Sequence, residues 1–262
     1  MKKQTSHKRY LRLQKYVKFT EAPIGNKEEV NTILSKSSFA SFLPTSLSPK
    51  TLNEVVDFTS EHKKVVLKPV WGCQGVGILI IEKKNEAYII HKDEASFPST
   101  SLLVYLADVN IDEYILQQFV VSETTNGLPV DFRIHTQKDS EGKFVLTKVY
   151  PRIASVKNKV TNYSQGGTTV DIQSYLEPKY KEDWKVVLQS MKVFALQLSE
   201  FLDEKYHQSL NELGIDIGLT EDRKIYLYEV NWRPGVPIIF NGELNHAKSL
   251  LSYCKYRSKS LS

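Results

Sequence analysis

Leu213–Gly235, LGIDIGLTEDRKIYLYEVNWRPG, is the stretch on which the fold turns. Apolar residues run from Ile215 to Leu219, a polar turn passes through Thr220-Glu-Asp-Arg223, and a second strand reads from Lys224 to Val230. This is the pattern of a β-hairpin. Folded symmetrically about Asp222 and Arg223, it sets Asp216 opposite Glu229. Glu229 and Asn231 stand two apart on one strand and share a face. Three oxygen donors, Asp216, Glu229 and Asn231, therefore converge at the open end of an otherwise apolar hairpin. Carboxylates in such a place are costly to bury unless their charge is compensated. A hard cation such as Mg2+, which takes one or two carboxylates together with substrate phosphates, would compensate it. The alternative is a strand end whose acids sit in water; the placement of Asp216 favours the metal.

Before the hairpin lies the clearest helix, residues 181–202. Trp184, Val187, Leu188, Met191, Phe194, Ala195, Leu198, Phe201 and Leu202 form one apolar stripe at three- and four-residue steps, which is core. Further upstream, 129–137 and 143–155 read as an antiparallel pair around the turn Asp139-Ser-Glu-Gly142. Helices are expected over 26–36, 51–62 and, briefly, 101–106. Strands are expected over 64–70, 76–82, 87–91 and 113–121. Helices mixed with antiparallel strands, without regular βαβ alternation, indicate an α+β fold.

The chain has 262 residues, 41% hydrophobic and 25% charged, the composition of an ordinary globular protein. No apolar run approaches a membrane span, and the start lacks the apolar core of a secretion signal, so a cytoplasmic protein is expected. Two cysteines, Cys73 and Cys254, offer no disulfide framework. The formal charge of +5 is concentrated at the ends, in an N-terminal arm over 1–25 and a basic tail over 251–262. The arm reads as a solvated or partner-packing terminus rather than a nucleic-acid binder.

Lys64–Ile81, KVVLKPVWGCQGVGILII, carries Lys68 on a strand and then Gly72, Gly75 and Gly77 in a loop before the next strand. Glycines let backbone amides approach an anion, and a neighbouring lysine adds a point charge for phosphate. The order fits neither the Walker loop nor the dinucleotide fingerprint, both of which open a helix. It does not fit a protein kinase either, where the glycines precede the lysine. Cys73, inside this loop, has no local base and reads as a bystander thiol. Downstream, Asp131 and Arg133 share a strand face, and Arg152 joins them from the paired strand, with Asn162 and Gly166-Gly167 following. Two arginines and an amide suit a site holding several negative charges. The remaining histidines, His135 among them, show no metal-ligand spacing.

Lys68-Pro with its glycine loop, the 115–120 strand, Asp131-x-Arg133, Arg152, Asn162, Asp216 and Glu229-x-Asn231-x-x-Pro-Gly235 occur in the order of an ATP-grasp catalytic unit. Their wording resembles the YheC/YheD family, known as endospore coat-associated proteins, with the RimK-like glutamate ligases as more distant relatives. The resemblance covers roughly 26–250. It implies ATP between two α+β subdomains, a small one over 64–121 and a larger one over 122–250. Lys68 would take the α- and β-phosphates under the Gly72–Gly77 loop. Gln117, Gln118, Phe119 and Val120 would face adenine, and Asp131 the ribose or a nearby polar group. Asp216, Glu229 and Asn231 would hold Mg2+, with Arg152, Asn162 and Arg133 at the transferring phosphoryl group.

The implied activity is a carboxylate–amine ligase acting through an acylphosphate on amino acid or peptide material of the spore coat. The alternative is a structural coat protein that has kept the nucleotide site and lost the chemistry. The sequence departs from the family pattern in places. For the second nucleotide lysine the nearest candidate is Lys27, while the aligned position is Asn31; the usual hinge carboxylate is replaced by Gln117 or Gln118. The α/β domain that normally precedes the grasp unit is expected to be largely missing, because about 25 residues stand before the first helix. The expectation is therefore that the acceptor comes from a protein partner, is a polymer, or is absent.

Overall fold

The computed structural model describes residues 24–71, 76–92, 95–155, 167–207, 210–237 and 239–259. They divide into two compact units, one built from 25–129 and 153–168, the other from 130–152 and 169 onward.

The first unit begins with a helix, α1 (Lys27–Ser35), started by a capping box in which Asn26 accepts from the Glu29 amide at 2.9 Å and Glu29 accepts from the Asn26 amide at 3.2 Å. Thr51 and Glu54 start α2 (Leu52–His62) the same way. The strands are β1 (Ser46–Leu47), β2 (Lys64–Pro69), β3 (Leu79–Lys84), β4 (Ala87–Lys92), β5 (Ala95–Ser99) and β6 (Tyr114–Gln118). They form a six-stranded antiparallel sheet in the order β1-β6-β2-β3-β4-β5. Alternation along β2 decides its faces. Val65 and Leu67 are fully buried with Val55, Ile81, Ile90 and Leu116, while Lys64, Val66 and Lys68 point to the other side. The edge strand β5 was not legible in the sequence. Its residues are exposed or half-buried and include Pro98, which an edge tolerates, so no alternation marks it.

The second unit is a four-stranded sheet in the order β10-β9-β7-β8, with β7 (Val130–Lys138), β8 (Phe144–Ile153), β9 (Glu212–Leu219) and β10 (Ile225–Asn231). The register sets Phe132, Ile134 and Thr136 opposite Ile217, Ile215 and Leu213 on an apolar face. Between them, Arg133, His135 and Gln137 stand opposite Asp216, Gly214 and Glu212 on a polar face. The apolar face packs on the long helix Trp184–Lys205, whose Ser199 hydroxyl lies 2.7 Å from that of Thr136. Val187, Met191, Phe194, Ala195, Leu198 and Leu202 of that helix are buried, and Trp184, Leu188 and Phe201 flank them half-buried.

Two helices were not anticipated. Ile172–Tyr180 carries an internal proline, Pro178, and stacks Tyr175 edge-on against Phe132, with ring centroids 5.4 Å apart. Gly242–Lys259 runs through most of the segment read as a basic tail. Its apolar residues fall on different faces, Tyr253 buried at 2% but Leu251 exposed at 64%, so no single stripe announces it. Among the described residues, no helix is long and apolar enough to cross a membrane.

Candidate functional site

The polar face of the four-stranded sheet is the chemically distinctive surface. Strand period two places Asp131 and Arg133 together on β7, Gly214 and Asp216 on β9, and Glu229 and Asn231 on β10. Arg133 clasps Asp216 with Nε on Oδ1 and Nη2 on Oδ2, the latter at 3.0 Å. Arg152 clasps Asp131 at 2.6 and 2.7 Å and reaches Asp216 Oδ2 at 3.1 Å through Nη2. All four side chains are at most 12% exposed. Two buried carboxylates and two buried guanidiniums thus neutralise one another through paired, planar contacts. Burial alone would raise the Asp216 carboxyl, but the two guanidiniums overcome it and hold the group below the ordinary aspartate range. Burial likewise opposes the charge on both arginines, and their carboxylate partners prevail, keeping each more firmly protonated than usual.

Glu229 stands opposite Asp216, and Asn231 opposite Gly214, both half-buried. After Asn231 the chain folds back across the sheet, where the Pro234 carbonyl accepts from Arg133 Nη1 at 3.3 Å. Gly214 makes this possible, because a Cβ there would lie 2.4 Å from Pro234 Cβ. The expected metal donors Asp216, Glu229 and Asn231 are therefore brought to one face. A carboxylate offers about four lone-pair sites. Asp216 spends three on arginine N–H groups, so its chemistry, with Glu229 and Asn231, still fits a hard cation.

In the first unit, Lys68 lies on the face of β2 away from the core, opposite Ile115. Lys27 reaches the same strand end, its Nζ 3.5 Å from the Pro69 carbonyl. Asn31 instead bonds Ser46 Oγ at 3.1 Å. Gln117 is buried, paired with Ser46 and Val66. The amides of Gln118 and Phe119 donate to Thr45 and Lys64 carbonyls at 2.8 and 3.0 Å, and Lys64 Nζ lies 4.0 Å over the Phe119 ring. Val120 follows directly. Gly77 adopts φ +79°, with Pro69 Cγ 3.1 Å from where a Cβ would stand. Gly72, Cys73, Gly75, Asn162 and Gly166 lie outside the described residues.

One cluster escaped the sequence reading. His135 Nε2 and His246 Nε2 approach Glu212 Oε2 at 3.2 and 2.8 Å. These residues come from three elements far apart in the chain, so no local spacing could reveal them.

The YheC/D like ATP-grasp family model matches residues 16–256. The chain is 28% identical over 250 residues to the endospore coat-associated protein YheD of Bacillus subtilis, covering 89% of this chain and 54% of that protein. It is 26% identical over 201 residues to YheC of the same organism, covering 74% and 55%. It therefore spans about half the length of the curated relatives it matches. Among solved structures, the ADP complex of purK, an N5-carboxyaminoimidazole ribonucleotide synthetase, superposes with a TM-score of 0.55 at 14% identity, covering 87% of this chain and 51% of that one. That likeness concerns the fold. With the family model matched over most of its length, the chain belongs to the YheC/D-like ATP-grasp family.

Proposed function

We propose that this chain is the catalytic unit of an ATP- and Mg2+-dependent ligase that joins a carboxylate to an amine through an acylphosphate. The observation that carries the reading is the buried Arg133–Asp216–Arg152–Asp131 network, with Glu229 and Asn231 beside it on one sheet face. Family membership and the fold likeness to purK support it.

In this reading Lys68, assisted by Lys27, binds the nucleotide's phosphates, with Gly72, Gly75 and Gly77 covering them and the Gln117–Val120 segment facing adenine. Asp216, Glu229 and Asn231 hold Mg2+. When bound, the metal supplies charge at the phosphoryl oxygens. Arg152 and Arg133, fixed by Asp131 and Asp216, are pre-oriented cations for the same oxygens, and preorganisation avoids reorganising solvent during reaction. Asn162 contributes a further donor. Asp131 orients Arg152 with both oxygens, and its remaining lone pairs serve the ribose or a nearby polar group. A substrate carboxylate oxygen attacks the γ-phosphorus and ADP leaves; the amine then attacks the acyl carbon and phosphate leaves. The amine acceptor is amino acid or peptide material of a spore coat, presented by a partner protein or by a polymer.

The experiment is trapping with hydroxylamine. Purified protein, Mg·ATP and a panel of amino acids and short peptides should yield ADP and a hydroxamate from one carboxylate class, and Glu229→Gln should yield neither. A second reading has its own support, because both curated relatives are named for coat association rather than for a reaction. It holds that nucleotide binding serves assembly, and it predicts Mg·ATP binding with no ADP release from any carboxylate tested.

A further inference from the structure

We infer that His135, Glu212 and His246 form a second metal site, separate from the one proposed for the nucleotide, which takes one borderline transition-metal ion such as Zn2+. Their three ligand atoms lie within 4.8 Å of one another. A tetrahedral ion bonded at about 2.0–2.2 Å to nitrogen and oxygen sets its donors roughly 3.3–3.5 Å apart. The observed 3.2 Å for His135 is close to that separation, and His246, at 2.8 Å, reaches it by moving outward about 0.5 Å. The imidazole rings are tilted by 60° at 5.4 Å, so their nitrogens approach the carboxylate from different directions instead of stacking.

Hydrogen bonding alone leaves this cluster crowded. Glu212 Oε2 faces not only both imidazoles but also Gln137 Nε2, at 3.3 Å. Three donors aimed at one oxygen exceed its two lone pairs. A cation in place of the two imidazole protons relieves the excess, and Gln137 remains as the group that orients the carboxylate. Gln137 is itself held, because its Oε1 accepts from Thr147 Oγ1 at 2.9 Å. Partners of this kind around a ligand are the usual outer support of a metal site.

The donor set also separates this ion from Mg2+. Two imidazoles and one carboxylate suit zinc, cobalt or ferrous iron, whereas magnesium prefers oxygen and water. In space, Asn231 pairs with Gly214 and Gly214 with His135, so two strand spacings, about 10 Å, lie between the backbones of Asn231 and His135, while Asp216 stands four residues along β9 from Glu212, roughly 13 Å away. Pro234 covers the glycine between them. The cluster joins β7, β9 and the helix Gly242–Lys259, so an ion there pins that helix to the sheet. Three protein ligands leave a position for water.

The test uses the full chain in a C73S, C254S, E229Q background with saturating Mg2+, so that thiols and the nucleotide donors are not counted. Titration calorimetry with Zn2+ should show one equivalent bound, Co2+ should give visible bands of a nitrogen-coordinated low-symmetry ion, and Zn2+ should raise the melting temperature. His246→Ala and the isosteric Glu212→Gln should each weaken Zn2+ by more than about tenfold and abolish the Co2+ bands. Circular dichroism checks that each variant folds, and if His246→Ala does not, Glu212→Gln carries the test. Absence of stoichiometric Zn2+ binding in the parent, or binding unchanged in a folded variant, overturns the proposal and leaves a hydrogen-bonded triad.

Discussion

Glu229 stands directly opposite Asp216 although the hairpin changes register between them and the turn. Ile225, Tyr226 and Leu227 pair with Leu219, Gly218 and Ile217, and the next pair is Glu229 with Asp216, leaving Tyr228 as the extra residue of a bulge. A bulge re-aims side chains beside it and often marks a functional site. Here it turns Glu229 onto the face that carries Asp216 and the two arginines.

The two carboxylates should respond differently to substitution. Removing one partner of a buried ionic network strands the others, at a cost of about 3–5 kcal/mol. Asp216→Ala should lose about that much, read from urea melts, because both Arg133 and Arg152 lean on it. Glu229→Gln, half-buried and isosteric, should change stability by less than about 1 kcal/mol. Equal losses in the two variants would contradict this division.

The glycines of β9 offer a second contrast. At Gly214 a Cβ would meet Pro234 Cβ at 2.4 Å, and a proline ring cannot turn aside without moving its backbone. Gly214→Ala should cost about 1–3 kcal/mol and lift the segment after Asn231, seen as faster amide exchange there. At Gly218 the nearest atom is Tyr228 Oη at 2.0 Å, the far end of a side chain that can turn about its χ angles. Gly218→Ala should cost less than Gly214→Ala in the same melts.

Acid should act through Asp216. Its carboxyl is held below the ordinary value, so its contribution is complete above about pH 4 and is lost as pH falls through the lowered native value. Urea midpoints of the parent should therefore drop below about pH 4 more steeply than those of Asp216→Asn, which has no charge to neutralise. Parallel curves would contradict the assignment.

How far the sequence could be read follows from where each signal resides. The hairpin, the long helix and Asp131-x-Arg133 were legible because strand and helix periods act over a few residues. The pairing of Asp216 with Glu229 was anticipated from a symmetric turn, yet the molecule reaches it through the unforeseen bulge at Tyr228. The triad of His135, Glu212 and His246 was invisible, since it exists only after β7, β9 and the last helix assemble. That helix itself, with Leu244 and Leu251 exposed beside a buried Tyr253, lacks the stripe by which sequence announces a helix.

On the six-stranded sheet, Lys68→Met should weaken Mg·ATP binding by about tenfold or more, the loss expected for a charge-assisted contact. Lys27→Met should act in the same direction and less strongly, because Lys27 meets the strand end through a long contact, its Nζ 3.5 Å from the Pro69 carbonyl. Nucleotide titrations at fixed Mg2+ measure both.

Calorimetric titration of Mg·ATP into the parent and into Glu229→Gln decides whether a magnesium-dependent nucleotide site is built on Glu229 and its neighbours. The parent should bind only with Mg2+ present, and the folded variant should not bind. A well-folded parent that binds no Mg·ATP, or a variant that binds as the parent does, would contradict such a site.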